Sequence, residues 1–310
     1  MTSAAGPRVV LVTGASSGIG RAAAHQSAAA GDHVVLVARS RDTLEEVAAE
    51  CAGAASTLVL PTDISSDDEV AACVAAALQK HGRVDAVVHS AGVVAYGRTE
   101  EVPVDVFDQV VRTNLLGSVN LARHLLPPMR ERDSGTFVQI GSIIGHIAVP
   151  TMSPYVVSKW GVRALTRQLQ IENRDRRGVR ICYVSPGGVD TPIYLQAANY
   201  SGFVGRPPPP VYRPETVARA ALRQIDRPRD RTQVGIANGV MRLGFTLLPR
   251  VFDAIVGPMF PVAAKDLTHP VAPGTGNVLE ARPQDDRLRG QQGSAVVGVL
   301  RNLRRRVGRR

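Results

Sequence analysis

The chain has 310 residues, 44% of them hydrophobic, and a mean hydropathy near zero. This is ordinary globular composition, and no uncharged apolar run reaches the ~18 residues that a membrane span needs. The net charge of +10 is uneven: residues 281–310 carry nine arginines against Asp285 and Asp286, while residues 1–280 hold 28 basic and 25 acidic side chains, which argues against a nucleic-acid binder.

The opening "MTSAAGPRVVLVTG" lacks the basic region, apolar stretch and cleavage site of a signal peptide. Cys51, Cys73 and Cys182 are odd in number and far apart, without CxxC or Cys/His ligand spacing. Neither a disulfide framework nor a metal site is expected, and the expected compartment is the cytoplasm.

Val- and Ile-rich runs of strand length recur at 8–13, 33–38, 56–61, 84–90, 135–142, 179–185 and 232–237. Most lack polar alternation, as strands buried on both faces do. Ala-rich segments of helical length lie between them at 20–30, 42–53, 67–81, 104–127 and 154–177. The alternation predicts an α/β fold, a doubly wound parallel seven-stranded sheet with helices on both faces.

The first strand runs into "TGASSGIG". A dinucleotide pyrophosphate needs a tight strand-to-helix turn without side chains and a helix N-terminus that aims amides at negative charge. Gly14, Gly18 and Gly20 suit that turn, and Ser16 and Ser17 add hydroxyls. The second strand ends "VARSRD", with Ala38 where an NAD-selective site usually places a carboxylate, followed by Arg39 and Arg41. A guanidinium there suits a 2′-phosphate, so NADP(H) is the preferred cofactor and NAD(H) the second option.

Only three lysines occur: Lys80, Lys159 and Lys265. Lys159 lies four residues after Tyr155 in "SPYVVSK", on the same face of the predicted helix. A free tyrosine titrates near ~10, and bringing it toward neutrality takes about 3–4 kcal/mol of preferential phenolate stabilisation. An adjacent ammonium in a partly dry cleft can provide much of that, which is the expected reason for a lysine here.

The glycine turn and the Tyr–Lys pair together resemble the short-chain dehydrogenase/reductase family, over roughly residues 8–240. The resemblance implies hydride transfer between a nicotinamide and a carbonyl or secondary alcohol, with Ser142, Tyr155, Lys159 and Asn114 as the catalytic group. Ser142 lies thirteen residues before Tyr155 in "GSIIG", and Asn114 stands in "VRTNLLG". In this reading Tyr155 is the acid/base, Ser142 fixes the substrate oxygen, Lys159 tunes Tyr155 and holds the ribose, and Asn114 positions a water. The resemblance also assigns cofactor contacts to Ile19, Ser40, Asp63, Ile64, Ser90, Ala91 and Gly92, and to Pro186, Gly187, Val189 and Thr191 in "SPGGVDT". Ser90 departs from the family pattern, which has Asn there. Relatives commonly pair through the helices carrying Asn114 and Tyr155, so a homodimer or homotetramer is expected. The alternative is a non-catalytic NAD(P)-binding regulatory or interaction protein on the same fold.

Residues 1–240 are therefore expected to form the catalytic domain, with a lid at 192–213. Its Ile193, Tyr194, Leu195, Tyr200, Phe203 and Tyr212 point to a hydrophobic, lipid-like substrate. Residues 241–267 are expected to be an apolar helical extension, and 268–310 a flexible linker and basic tail. The tail reads either as solvated chain or as a basic amphipathic helix, and peripheral membrane contact is expected through 241–260 and the tail.

Overall fold

The seven apolar runs become seven parallel strands of one sheet: β1 Val9–Thr13, β2 His33–Ala38, β3 Ser56–Pro61, β4 Ala86–His89, β5 Gly135–Ile140, β6 Val179–Pro186 and β7 Arg231–Val234. Their order is β7-β6-β5-β4-β1-β2-β3, and every pairing is parallel. This computed structural model describes residues 6–307, apart from the side chains of Arg306 and Val307. Residues 1–5 of the expected catalytic domain and 308–310 of the expected basic tail lie outside the described residues.

Strand alternation sends successive side chains to two different cores. Val10, Val12, Val34, Leu36, Val88, Val138 and Val184 pack under α1 (Gly18–Ala29), α2 (Arg41–Glu50) and, C-terminal in the chain, the helix Pro214–Asp226. Val9, Leu11, Val35, Val37, Val87, Phe137 and Ile181 face α3 (Asp67–His81) and two helices that follow it in the chain. Each large aliphatic side chain so buried contributes about 1.5–3 kcal/mol. That two-sided burial is why most of the runs show no polar alternation.

The helix starts follow local chemistry. Ser40 accepts from Thr43 N at 3.4 Å and Ser66 from Glu69 N at 3.3 Å, capping α2 and α3. Asp67, Asp68 and Glu69 fill the first turn of α3, and Gly82, at φ 72°, closes it.

The predicted helix 104–127 is instead two helices, α4 (Val104–Val111) and α5 (Gly117–Glu131), joined by a π-turn at Arg112–Leu116. The wider turn carries Asn114, whose side chain is tied to the Val93 backbone. Helix α6 spans Ser153–Glu172. Beyond it run α7 (Pro214–Asp226), α8 (Ala237–Leu247), α9 (Pro249–Ala264) and α10 (Ala295–Val307).

The segment expected as a lid pairs with the body at three places. Ala198–Asn199 lies beside Ala95–Tyr96, Phe203–Gly205 beside Lys265–Pro270, and Val211–Tyr212 beside Gly188–Val189. Residues 268–295 do not lead away from the domain as the expected linker would. They fold back across the carboxyl end of the sheet, because their backbone groups find partners there: Asn199 and Gly274 exchange two hydrogen bonds, Asn277 N donates to the Gln196 carbonyl, and the Arg287 carbonyl accepts from Gly18 N. Asn302 of α10 is fully buried and donates to the carbonyls of Val262 and Lys265.

Candidate active site

The winding of the sheet reverses between β1 and β4, and in doubly wound sheets a crevice opens at the carboxyl ends of such strands. Here it is floored by the glycine turn. Gly14 and Gly18 have φ of +65° and +51°. A Cβ on Gly14 would lie 2.9 Å from Ala91 Cα, and one on Gly20 would lie 2.1 Å from the Gly14 carbonyl oxygen. Helix α1 starts at Gly18, so its first amides face the crevice.

Thr13, at the end of β1, ties the turn to β4. Its hydroxyl accepts from Ser90 N and Ala91 N, both at 3.2 Å, and contacts His89 Nδ1 at 2.6 Å. His89 is fully buried, its other ring nitrogen is 2.9 Å from Ser118 Oγ, and burial pushes its pKa down to about 3. It is a neutral connector between β1 and α5.

The crevice is lined by Gly14, Ser16, Ser17, Gly18, Ile19, Arg39, Ser40, Asp63, Ile64, Ser90, Ala91, Gly92 and Thr191. Asp63 accepts from the Ser65 amide and hydroxyl at 2.9 and 2.8 Å. Six expected cofactor positions are not part of that lining: Gly20, Tyr155, Lys159, Pro186, Gly187 and Val189. Gly20 supports the turn from beneath. Pro186 ends β6, Gly187 donates to the Val234 carbonyl, and Val189 is buried beside Tyr212.

The catalytic candidates meet at the end of β5. Ser142 follows the strand, is buried, and its Oγ accepts from Ile144 N at 3.1 Å. Its side chain also neighbours Tyr155 in the first turn of α6, close enough to lower that phenol's pKa. Lys159 is 5% exposed, one turn further on. Its Nζ lies 5.7 Å from the centre of the Tyr155 ring and donates to the Ile140 carbonyl at 3.3 Å.

Asn114 is committed to bracing. Its amide nitrogen donates to Val93 O and Ser158 Oγ, each at 2.9 Å, and its oxygen accepts from Val93 N at 2.8 Å. Gly92 lies between this brace and the lysine: a Cβ there would stand 3.1 Å from Asn114 Oδ1 and 3.7 Å from Lys159 Nζ. The crevice floor and the catalytic group therefore adjoin.

The electrostatics differ from expectation. Burial pushes the Tyr155 phenol well above its ordinary value, with Tyr194 raising it further and the Ser142 side chain pulling the other way. Burial also pushes Lys159 down to about 8. The ammonium does not make the phenol acidic here, because desolvation disfavours both charged forms. Within the protein's own field Tyr155 is a neutral proton donor.

Several site residues carried no sequence signal of their own. Tyr183 packs its ring over Gly141, where a Cβ would lie 2.1 Å from its Cζ, and its hydroxyl meets the Ser142 backbone at 3.4 Å. Gln196, Asn277, Ala281, Arg282 and Asp286 complete the crevice wall. Asp285 and Asp286 were the available hint, as the only acids in an otherwise basic chain end.

On the side away from the crevice, Val94, Tyr96, Met152, Tyr155, Tyr194 and Phe260 form one apolar cluster. Ile143, Ile147, Phe245 and Phe252 form another behind Ser142. The extension thus supplies part of the wall around the catalytic group.

Comparison with known proteins agrees with this anatomy. The chain matches the short chain dehydrogenase family over residues 8–199. It is 34% identical over 201 residues to a dehydrogenase/reductase SDR family protein 7-like of Anopheles gambiae, and spans 63% of that relative's length with 63% of its own. Among solved structures it is similar to a short-chain dehydrogenase from Streptomyces avermitilis, at 28% identity and TM-score 0.70 over 80% of this chain and 96% of that one. It is also similar to an alcohol dehydrogenase from the archaeon Thermococcus sibiricus complexed with 5-hydroxy-NADP, at 29% identity and TM-score 0.64, covering 74% and 96%. The protein belongs to the short-chain dehydrogenase family and is built on a Rossmann-type sheet.

Proposed function

We propose that the protein is an NADP(H)-dependent reductase that interconverts a carbonyl and a secondary alcohol on a hydrophobic, lipid-like substrate, with NAD(H) as second cofactor. The observation that carries this is the adjacency of Ser142, Tyr155 and Lys159 to a glycine-floored crevice that also contains Arg39. A crevice with no room for side chains at Gly14 and Gly20, and amides at the start of α1, fits a pyrophosphate. Arg39 and Ser40 at the end of β2 fit a 2′-phosphate. The relative with an NADP analogue bound supports the same preference.

When bound, the dinucleotide supplies the hydride or accepts it in the reverse direction. In reduction, Tyr155 gives its proton to the carbonyl oxygen as the new C–H bond forms. Ser142 directs its hydroxyl proton at the same oxygen and fixes its position. Lys159, protonated at neutral pH, balances the phenolate left behind. The apolar clusters packed around Tyr155 and behind Ser142, which include Tyr96, Tyr194, Phe252 and Phe260, support a substrate with hydrocarbon bulk. NADPH oxidation measured with a panel of cyclic and long-chain ketones is expected to show turnover that rises with substrate hydrophobicity. No turnover with any carbonyl would reject the reading.

The extension also supports contact with an anionic membrane surface. No helix among the described residues is long and apolar enough to cross a membrane. Helices α8 and α9 nevertheless leave Val240, Leu243, Leu247, Val251 and Ile255 exposed by half or more, with Ile236 at 88% just before them. Arg242 and Arg250 flank this face, and Asp253 is the sole acid in 241–260. Leu247→Asp with Ile255→Asp is expected to abolish co-sedimentation with phosphatidylserine-containing vesicles. Equal pelleting of both proteins would reject the contact. Partly exposed Leu116 and Val157, near Asn114 and Tyr155, similarly favour self-association through α5 and α6.

A further inference from the structure

Residues 277–290 cross the mouth of the crevice, and they meet three of the groups that would hold a dinucleotide's phosphates. Arg39 Nη2 donates to the Asn277 carbonyl at 2.6 Å. Gly18 N, the first amide of α1, donates to the Arg287 carbonyl at 3.0 Å. Asp286 lines the crevice with Ser16, which helps to stabilise its carboxylate, and its Oδ1 accepts from Gln196 Nε2 at 2.8 Å.

This strap is fastened on both sides of the crevice. Before it, Asn277 N donates to the Gln196 carbonyl at 2.8 Å, and Gly276 packs so closely that a Cβ would lie 2.3 Å from the same oxygen. After it, Gly290 N donates to Asp190 at 3.1 Å and Arg289 pairs with Glu215 at 2.5 Å. Asp286 is half-buried, and burial holds its carboxyl above the ordinary value despite Gln196, Ser16, Arg39 and Arg21 nearby.

A carboxylate and a carbonyl on these donors present the oxygens that a phosphate would present. A donor hydrogen already engaged by the strap is not free for a phosphate oxygen, and a dianion beside Asp286 would add like-charge repulsion. We propose that the strap is an autoinhibitory latch, in which Asp286 and the Arg287 carbonyl occupy the phosphate donors of the crevice until the dinucleotide displaces them. This rests on the reading of the crevice as a dinucleotide site. Apparent affinity is then the intrinsic affinity reduced by the fraction of molecules with the strap released.

The test uses full-length protein and its Asp286→Ala variant, with NADPH followed by stopped-flow and equilibrium fluorescence. The latch predicts association about tenfold faster and a lower Kd in the variant, as a strap released more often would give. It also predicts that saturating NADPH speeds tryptic cleavage after Arg282 and Arg287 in the unmodified protein, a readout that needs no variant. Protection of those bonds by NADPH would overturn it, since the strap would then be a cover closing over the cofactor. Lost binding in a folded variant would overturn it too, since Asp286 would then be a cofactor ligand. If neither protein binds NADPH or NADH, the dinucleotide reading itself fails and takes the latch with it.

Discussion

Tyr155→Phe is expected to lower the rate of NADPH-dependent carbonyl reduction by roughly 10²–10⁴-fold, the usual worth of a positioned general acid. NADPH binding, followed by fluorescence titration, should be unchanged. The substitution keeps the ring among Val94, Tyr96, Met152, Tyr194 and Phe260 and removes only the hydroxyl that neighbours Ser142. Packing is therefore a poor explanation for any loss, and circular dichroism should superpose on that of the parent. The high phenol pKa gives the experiment direction. A group that stays protonated across the neutral range is in the form that reduction needs and not in the form that takes up a proton, so reduction should be the faster direction near pH 7. Full activity in the variant would remove Tyr155 from the mechanism.

The legible parts of this protein are those that rest on local pattern. β1 read correctly from "VVLVT" because both faces of a central parallel strand are buried, so its side chains are uniformly apolar. The glycine turn was legible because φ near +60° at Gly14 and Gly18, and the lack of room at Gly20, leave few other residue types. Tyr155 and Lys159 were placed on one face by helical spacing alone. What the pattern missed is tertiary. The π-turn at Asn114 is set by Val93 and Ser158, which reach it from other elements, so residues 104–127 read as one unbroken helix. The strap was hidden because its partners are remote: Arg39 and Asn277 are 238 positions apart, and a Gly- and Pro-rich segment has no periodicity to betray its docking. The direction of the Tyr155 shift was misread for a related reason. Spacing reveals the ammonium one turn away but not the depth of the cleft, and depth dominates.

That depth leads to a second large effect, at Lys159. Lys159→Met should make the protein more stable and nearly inactive. No carboxylate pairs with Lys159 among the described residues; its Nζ donates to the Ile140 carbonyl. The fall from 10.5 to about 8 corresponds to ~3 kcal/mol of unfavourable burial of the charge at pH 7. The lost hydrogen bond returns about 1 kcal/mol of that. Denaturant melts at pH 7 should then show a gain of ~2 kcal/mol for the methionine variant, while kcat/KM for reduction falls by roughly 10²-fold or more. The sign with pH follows from linkage. Between about 8 and 10.5 the unfolded lysine still holds its proton and the folded one has released it, so the parent gains stability as pH rises through that window. The stability gap between parent and variant should therefore be widest below pH 8 and should narrow above it. Reduction by the parent should decline across the same titration, because the charge that balances the Tyr155 phenolate is lost. A methionine variant that is less stable at pH 7, or a gap that widens above pH 8, would mean that Lys159 is held by favourable contacts and not kept against its burial cost for chemistry.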